Sequence, residues 1–204
     1  MGVWGGIIPG NTQDIEPLIA KGVLGFKAFL THSGIDEFPN VTEADLRKAM
    51  PILAKYGLPL LVHCELTDEP AGEPPWPAQS YQGYLSSRPK AWENKAVELM
   101  IRLCEEYNCH VHIVHLSSAE CIEPIRRAKE KGLPLTVETA QHYLYFNAET
   151  IGDGQTQFKC APPIREKENN ERLWQALKDG VIDFVATDHS PAPPDMKQMA
   201  DVVI

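Results

Sequence analysis

The feature that most constrains the fold is a regular alternation of short apolar runs with longer amphipathic segments. Six runs have the length and composition of buried strands, and helical periodicity fills most of the intervals between them. The predicted strands are VWGGII (3–8), GFKAFL (25–30), PLLVHCE (59–65), HVHIVHLS (110–117), PLTVETA (134–140) and DFVATDHS (183–190). This order predicts βα units around a parallel sheet.

The amphipathic segments carry recognisable helix ends. Thr42 is placed as an N-cap and Gly57 as the residue that ends the same helix. Residues 67–89 are rich in proline and glycine and are expected to lack regular structure, and a long connection is expected between the fifth strand and KCAPPIRE. The predicted helices cover 13–20, 42–57, 91–108, 119–132 and 169–180.

The number of strands limits the architecture. Eight βα units close a (β/α)8 barrel of roughly 250 residues, whose chemistry lies at the carboxyl ends of the strands. Six strands in 204 residues do not close one. The chain is therefore predicted to form either an open doubly wound sheet or part of a barrel whose first two strands lie outside the sequence.

Composition excludes several classes of partner. The formal charge is −9, and no basic stripe extends beyond short helix faces such as 126–132, so nucleic acid is not an expected partner. No apolar run approaches the roughly 20 residues of a membrane span, and the N-terminus lacks the pattern of a secretion signal. The five cysteines form no CxxC pair and are expected to be reduced. An intracellular, cytoplasmic protein is predicted.

Polar residues recur where the predicted strands end. Lys27 lies within the second strand, His63 and His115 end LLVH and HIVH, Glu138 lies near the end of LTVE, and Asp188 ends FVATD. In a parallel barrel these positions converge on one pocket. Histidine and aspartate are suitable ligands for a divalent transition metal, so a metal site is the leading hypothesis.

Each of these histidines also has a structural interpretation. A single histidine at a strand end is more often a buried or rim residue than a ligand. His112 alternates with apolar neighbours and could be a buried, hydrogen-bonded residue, and His110, His142 and His189 are interpreted as structural. Glu65 is expected to orient a neighbour rather than to bind metal.

Lys27 has three candidate explanations. It could form a Schiff base in a desolvated pocket, or extend its ammonium to the barrel mouth and pair with Asp188. It could also react as a free amine with carbon dioxide and become an anionic ligand that bridges two metal ions. The residues alone leave these open, although two neighbouring histidines favour the third.

The motifs resemble one enzyme family. They occur in the order and at the spacing of the cyclic amidohydrolases, the group of allantoinases, hydantoinases and dihydroorotases, and the resemblance extends to about Lys197. GFKAFLTHSGIDEFP and DHSPAPPDMK are most similar to the allantoinase branch. The other matching motifs are LLVHCE, HIVHLSSAE, ETAQHYL and CAPPIRE.

The resemblance implies roles for individual residues. Lys27 matches an N-carboxylated lysine that bridges two metal ions, usually zinc. His63 and His115 match the two ligands of the more exposed metal. Asp188 matches a ligand of the buried metal that also moves the proton. The backbone of Ala161 matches the position that hydrogen-bonds the substrate ring.

The resemblance also implies an activity and its requirements. His32 aligns where hydantoinases carry a tyrosine that polarises the carbonyl. The implied reaction is hydrolysis of a small cyclic ureide, allantoin to allantoate, with two divalent metals, carbon dioxide for the lysine, and homo-oligomers as the intact assemblies. The alternatives are a hydantoinase (dihydropyrimidinase), a dihydroorotase, or a non-catalytic amidohydrolase-like scaffold.

The sequence departs from the family at both ends. No His-x-His precedes Lys27, although the family's first strand carries this pair, and the small β domain has no counterpart. Residues 1–197 are interpreted as a partial amidohydrolase barrel covering strands 3 to 8, and 198–204 as a tail outside the pattern. The chain is thus interpreted as a fragment, expected to have no appreciable allantoinase activity by itself.

Overall fold

The computed structural model describes residues 1–67 and 77–190, together with Pro193 and Asp195. The predicted tail at 198–204 and most of DHSPAPPDMK beyond Ser190 lie outside these residues. Six parallel strands form one sheet in chain order, which confirms the predicted partial barrel sheet. The strands are β1 Gly5–Gly6, β2 Phe26–Phe29, β3 Leu60–His63, β4 Val111–Ile113, β5 Leu135–Ala140 and β6 Phe184–Ala186.

The helices lie where the amphipathic pattern predicted them, with two additions. Thr42 forms a reciprocal capping box with Asp45 at the start of α2, and Gly57 ends that helix with a left-handed backbone. The helices are α1 Ile15–Ala20, α2 Glu43–Tyr56, α3 Tyr81–Ser87, α4 Lys90–Tyr107, α5 Ile122–Glu130, α6 Gln141–Tyr145 and α7 Lys167–Lys178. None in the described part of the chain is long and apolar enough to cross a membrane.

Helix α3 corrects the expectation that 67–89 lacks regular structure. Ser80 caps the helix by accepting a hydrogen bond from the Gly83 amide, and Tyr81 and Tyr84 on the helix are buried. Tertiary packing of these two rings overrides the helix-breaking composition around them. Helix α6 lies inside the predicted long connection between β5 and KCAPPIRE, where no helix was predicted.

Strand β1 is shorter than the predicted 3–8. Its only partner in the described sheet is β2, and the ladder includes just the pairs of Gly5 with Phe26 and Gly6 with Lys27. Val3 and Trp4 are exposed beside it. Because β1 is an edge strand, it extends only over the residues that pair with β2.

The two faces of the sheet differ in character. Phe26, Leu60, Val111 and Leu135 are at most 4% exposed and pack in the hydrophobic core with the helices. The residues that follow them in each strand occupy the opposite, inner face, because side chains alternate along a strand. The register aligns Lys27, Leu61, His112 and Thr136 on this inner face.

The inner face contains a directed chain of hydrogen bonds. His112 Nε2 lies 3.1 Å from Glu138 Oε2, and His112 Nδ1 and His110 Nε2 lie 2.8 and 2.9 Å from the Thr136 hydroxyl. In its neutral form, His112 donates to the Glu138 carboxylate and accepts from Thr136, whose oxygen then accepts from His110. His112 is therefore a buried, hydrogen-bonded histidine, one of its two predicted interpretations.

Replacing Thr136 with valine should destabilise the chain by about 1–2 kcal/mol, because valine keeps the branched shape but leaves two imidazole nitrogens without their shared partner. Urea denaturation measures the free energy of unfolding. The control is Thr150→Val, which removes an exposed hydroxyl that bonds only the Asn147 carbonyl. Equal stability of the two variants would contradict the hydrogen-bond chain.

Candidate active site

Strands β3 and β4 bring two predicted metal ligands together. His63 is the last residue of β3, and His115 lies two residues beyond β4. His63 Nδ1 and His115 Nε2 are 3.1 Å apart, and the two residues are only 6% and 5% exposed. Burial, with His63 and Lys27 close by, lowers the pKa of His115 well below its ordinary value, so this ring is neutral.

A buried ion pair fixes the His63 ring. His63 Nε2 lies 2.7 Å from Glu65 Oε2, and Arg88 donates to both oxygens of the same carboxylate. Burial raises the pKa of Glu65, but its bonds to His63 and Arg88 outweigh that effect and lower it overall. The ionised carboxylate therefore favours the His63 tautomer that donates from Nε2, in which the Nδ1 lone pair faces His115.

Lys27 projects from β2 into the same region with its charge largely uncompensated. Burial lowers the pKa of the Lys27 amine to about 8, although Asp188 and Glu138 raise it in part. The Lys27 ammonium lies 5.0 Å from the centre of the Phe29 ring, and no carboxylate of the described residues forms an ion pair with it. The pairing with Asp188 that one hypothesis requires is not formed.

Two of the predicted site residues have an uncommon backbone. His115 and Asp188 have φ angles of 40° and 45°, whereas most residues other than glycine avoid positive φ. Asn108, the third non-glycine residue with positive φ in the described chain, is the C-cap of α4. Such strain persists where the surrounding structure enforces it, and it concentrates at functional sites.

One cavity collects the residues to which the resemblance assigned roles, whereas Glu138, which was expected in the same pocket, lies with His112 and Thr136 in a different one. The first cavity has a volume of about 610 Å³ and opens at the carboxyl ends of the strands. His32 lies at its exposed rim, where its Nδ1 accepts a hydrogen bond from the Gly34 amide. The predicted residues in its lining are Lys27, His32, His63, His115, Ala161 and Asp188.

The cavity also has a wall that the sequence did not predict. Tyr84 and Ser87 of α3, together with Arg88, line it, and Lys159 Nζ lies 5.6 Å from the centre of the Tyr84 ring. The only available signal was the aromatic spacing YQGY inside a segment rich in helix breakers. Proline-rich composition therefore concealed part of the site.

The histidine pair has suitable geometry for a shared metal ion. Two nitrogens bound to one tetrahedral zinc at 2.0–2.1 Å lie about 3.3 Å apart, close to the observed 3.1 Å. His115 Nδ1 is buried without a hydrogen-bond partner among the described residues and can take the proton when Nε2 binds metal. Within the described residues, no three His, Cys, Asp or Glu side chains are grouped to hold a metal, so this pair is a partial site that Lys27 would have to extend.

Comparison with known proteins identifies the family. No protein-family model matches the chain. The mitochondrial allantoinase of Aquarana catesbeiana is 47% identical over 198 residues, 97% of this chain and 41% of that protein. The allantoinase of Streptomyces avermitilis is 45% identical over 97% of this chain and 44% of its own length. The chain belongs to the cyclic amidohydrolase family.

A solved cyclic amidohydrolase shares the fold. The L-hydantoinase (dihydropyrimidinase) from Arthrobacter aurescens superimposes with a TM-score of 0.85 at 26% identity, over 98% of this chain and 46% of that one. The chain therefore spans less than half the length of the relatives it matches. It corresponds to a contiguous part of a cyclic amidohydrolase barrel.

Besides His32 at the cavity rim, four histidines of this amidohydrolase chain lie outside the metal pair. His110 and His112 belong to the inner-face hydrogen bonds, His189 is exposed, and His142 packs edge-on against Tyr143 with its buried Nε2 unpartnered. Burial lowers the pKa of His142. His110 and His112 are therefore structural residues that take part in the hydrogen bonds of the inner face.

The Lys27 amine of the metal-free chain should titrate near pH 8. Asp188→Asn should lower this pKa further, because the Asp188 charge stabilises the ammonium form. Side-chain NMR of ¹³C,¹⁵N-lysine in bicarbonate-free buffer gives the midpoint, and Lys55, whose pKa is raised by Glu16, is the internal reference. A Lys27 midpoint above 10 would show that burial does not destabilise its charge.

Proposed function

We propose that the protein containing this chain hydrolyses the ring amide of a small cyclic ureide, converting allantoin to allantoate. The observation that carries the proposal is one cavity in which a partly desolvated lysine lies near two facing histidine nitrogens and an exposed aspartate. Two relatives named as allantoinases, from an amphibian and a bacterium, support the choice of substrate.

The proposed metal ligands are Lys27, His63, His115 and Asp188. Lys27 is proposed to be N-carboxylated by carbon dioxide, because its lowered pKa provides the neutral amine that this reaction requires. The proposed cofactors are two divalent ions, most simply zinc. When bound, they supply hydroxide near neutral pH and polarise the ring carbonyl.

Other residues would move the proton and hold the ring. Asp188 would accept a proton from the attacking water and return it to the leaving ring nitrogen, because its carboxylate is exposed in the cavity. The backbone of Ala161 would hydrogen-bond the ring amide. His32 would contact the substrate at the rim, in a position to meet the carbonyl side of the ring.

A chimera tests the activity. Residues 3–195 would replace the matching segment of the Streptomyces avermitilis allantoinase, which supplies the remainder of a complete protein. The chimera should hydrolyse allantoin faster than hydantoin or dihydroorotate, and Lys27→Ala should reduce the rate at least about 100-fold by removing a metal ligand. Lys55→Ala is the matched control, since Lys55 pairs with Glu16 on the surface.

The possible results separate the candidate functions. Preference for hydantoin or dihydroorotate would favour those two activities over allantoin hydrolysis. A folded chimera that turns over none of the three rings would favour the non-catalytic scaffold and contradict the proposal. The isolated 204-residue chain is still expected to be inactive, and near-full turnover by it would overturn that expectation.

Glu65→Gln should weaken zinc binding to the chain by about 10- to 100-fold, because the carboxylate fixes the His63 proton on Nε2. Zinc titration against a competing chelator measures the affinity, with circular dichroism as a check on folding. Glu43→Gln is the control, because Glu43 also accepts from two arginines but lies on the outside of α2. Unchanged zinc affinity in folded Glu65→Gln, or no zinc binding by the wild-type chain, would contradict the proposed site.

The proposal extends to location and assembly. We place the protein in the cytoplasm and expect the intact enzyme to form homo-oligomers that act on a small molecule. One relative is named as mitochondrial, so fractionation of cells that express the tagged whole protein is the direct test of location.

A further inference from the structure

The segment 160–164 presents Ala161 to the cavity and has few amide groups with which to anchor itself. Pro162 and Pro163 carry no N–H, so the backbone must be held largely through its carbonyl oxygens. Pro162, Pro163 and Ile164 are buried, whereas Ala161 is exposed and lines the cavity. The segment therefore needs hydrogen-bond donors from elsewhere in the fold.

Four of the five carbonyl oxygens accept a hydrogen bond from a buried hydroxyl. The donors come from three places in the chain: helix α3, helix α6 and the loop after β4. No donor is more than 5% exposed. This set, which we call the hydroxyl clamp, consists of Tyr84 to Cys160 O (2.6 Å), Tyr143 to Pro162 O (2.7 Å), Ser117 to Pro163 O (2.7 Å) and Tyr81 to Ile164 O (3.0 Å).

Ala161 is the exception in the segment. Neither its N–H nor its carbonyl has a hydrogen-bond partner among the described residues, and both belong to an exposed residue of the cavity wall. A backbone position with one free donor and one free acceptor is complementary to a ring that presents an amide C=O and N–H. The clamp thus satisfies the flanking carbonyls and leaves this one position available.

The planarity of the peptide bond makes the clamp directional. The Cys160 carbonyl and the Ala161 N–H belong to the same trans peptide unit and point in opposite directions. When Tyr84 holds the carbonyl, it also fixes the direction of that N–H. Tyr143 holds the Pro162 carbonyl. The backbone is therefore held on both sides of Ala161.

The clamp also connects this segment to the histidine pair. Ser117 follows His115 by two residues, and its own amide and carbonyl are bound by Glu93 (2.7 Å) and Asn169 (2.8 Å). Its hydroxyl then holds the Pro163 carbonyl. This connection sets the separation between the histidine nitrogens and the Ala161 backbone.

We propose that Tyr84 and Tyr143 are positioning residues that orient the Ala161 backbone to bind the ring amide of a cyclic ureide or hydantoin. This inference rests on the proposed function and extends it to two hydroxyls that act on the ring through the backbone they hold. Burial raises the pKa of both phenols, so both remain hydrogen-bond donors at neutral pH.

The test uses the zinc-loaded 204-residue chain, with hydantoin and allantoin as probes in calorimetric titrations. Tyr84→Phe and Tyr143→Phe keep the rings and remove only the hydroxyls. Each should raise the Kd for the probes about tenfold and leave the zinc Kd within about twofold of wild type. The control, Tyr107→Phe, removes a hydroxyl that contacts Arg47 far from the cavity and should change neither constant.

A purely structural role would give a different result. Unchanged probe affinity in the two folded variants, or a parallel loss of zinc affinity, would overturn the positioning role. If the wild-type chain binds neither probe, the KM of the chimera for allantoin replaces the probe Kd, and amide hydrogen exchange over 158–166 decides the clamp. Exchange there should accelerate in both clamp variants and not in Tyr107→Phe, and the absence of acceleration would overturn the clamp as well.

Discussion

The geometry of the candidate site depends on one fully buried carboxylate. Glu65 accepts hydrogen bonds from His63 and Arg88, and the Arg88 carbonyl in turn accepts from Arg165 at 2.8 Å. A buried carboxylate is tolerated only when its charge is paired and hydrogen-bonded, so its two partners are held in place and Arg165 is attached through Arg88. Strand β3, the end of α3 and the chain that follows the 160–164 segment are thereby joined at the cavity.

A second buried carboxylate does the same for the loop after β4. Glu93 of α4 is 1% exposed and accepts hydrogen bonds from the Ser117 and Ser118 amides at 2.7 and 2.8 Å. Burial raises the pKa of Glu93 to about 7, while the Arg165 charge and the two amides act in the opposite direction. Glu93 of α4 therefore holds the loop that carries His115, although the Glu93 side chain does not line the cavity.

Sequence reasoning succeeded where the signal was local. The βα alternation, the Thr42 cap and the Gly57 stop are set by neighbouring residues, and parallel strands necessarily bring His63 and His115 to the same edge. The Tyr84 bond to Cys160 and the Tyr81 bond to Ile164 span 76 and 83 residues and leave no periodic trace. The pairing of Arg88 with Glu65 also leaves no periodic trace in the sequence, because tertiary packing brings the two residues together.

The cost of burying Lys27 connects these features to the proposed chemistry. Converting the amine to a carbamate would replace a destabilised cation with an anion, and an anion in the same place is equally unfavourable unless cations accompany it. Under the proposed function, carboxylation and metal binding would therefore have to occur together. The histidine pair would also have to rearrange before a metal can bind. The hydrogen bond between His63 Nδ1 and His115 Nε2 would break, and the proton on His115 Nε2 would move to His115 Nδ1, which has no partner among the described residues. Under the proposed function, loading of this site is one coupled event of proton movement, carbon dioxide uptake and metal binding.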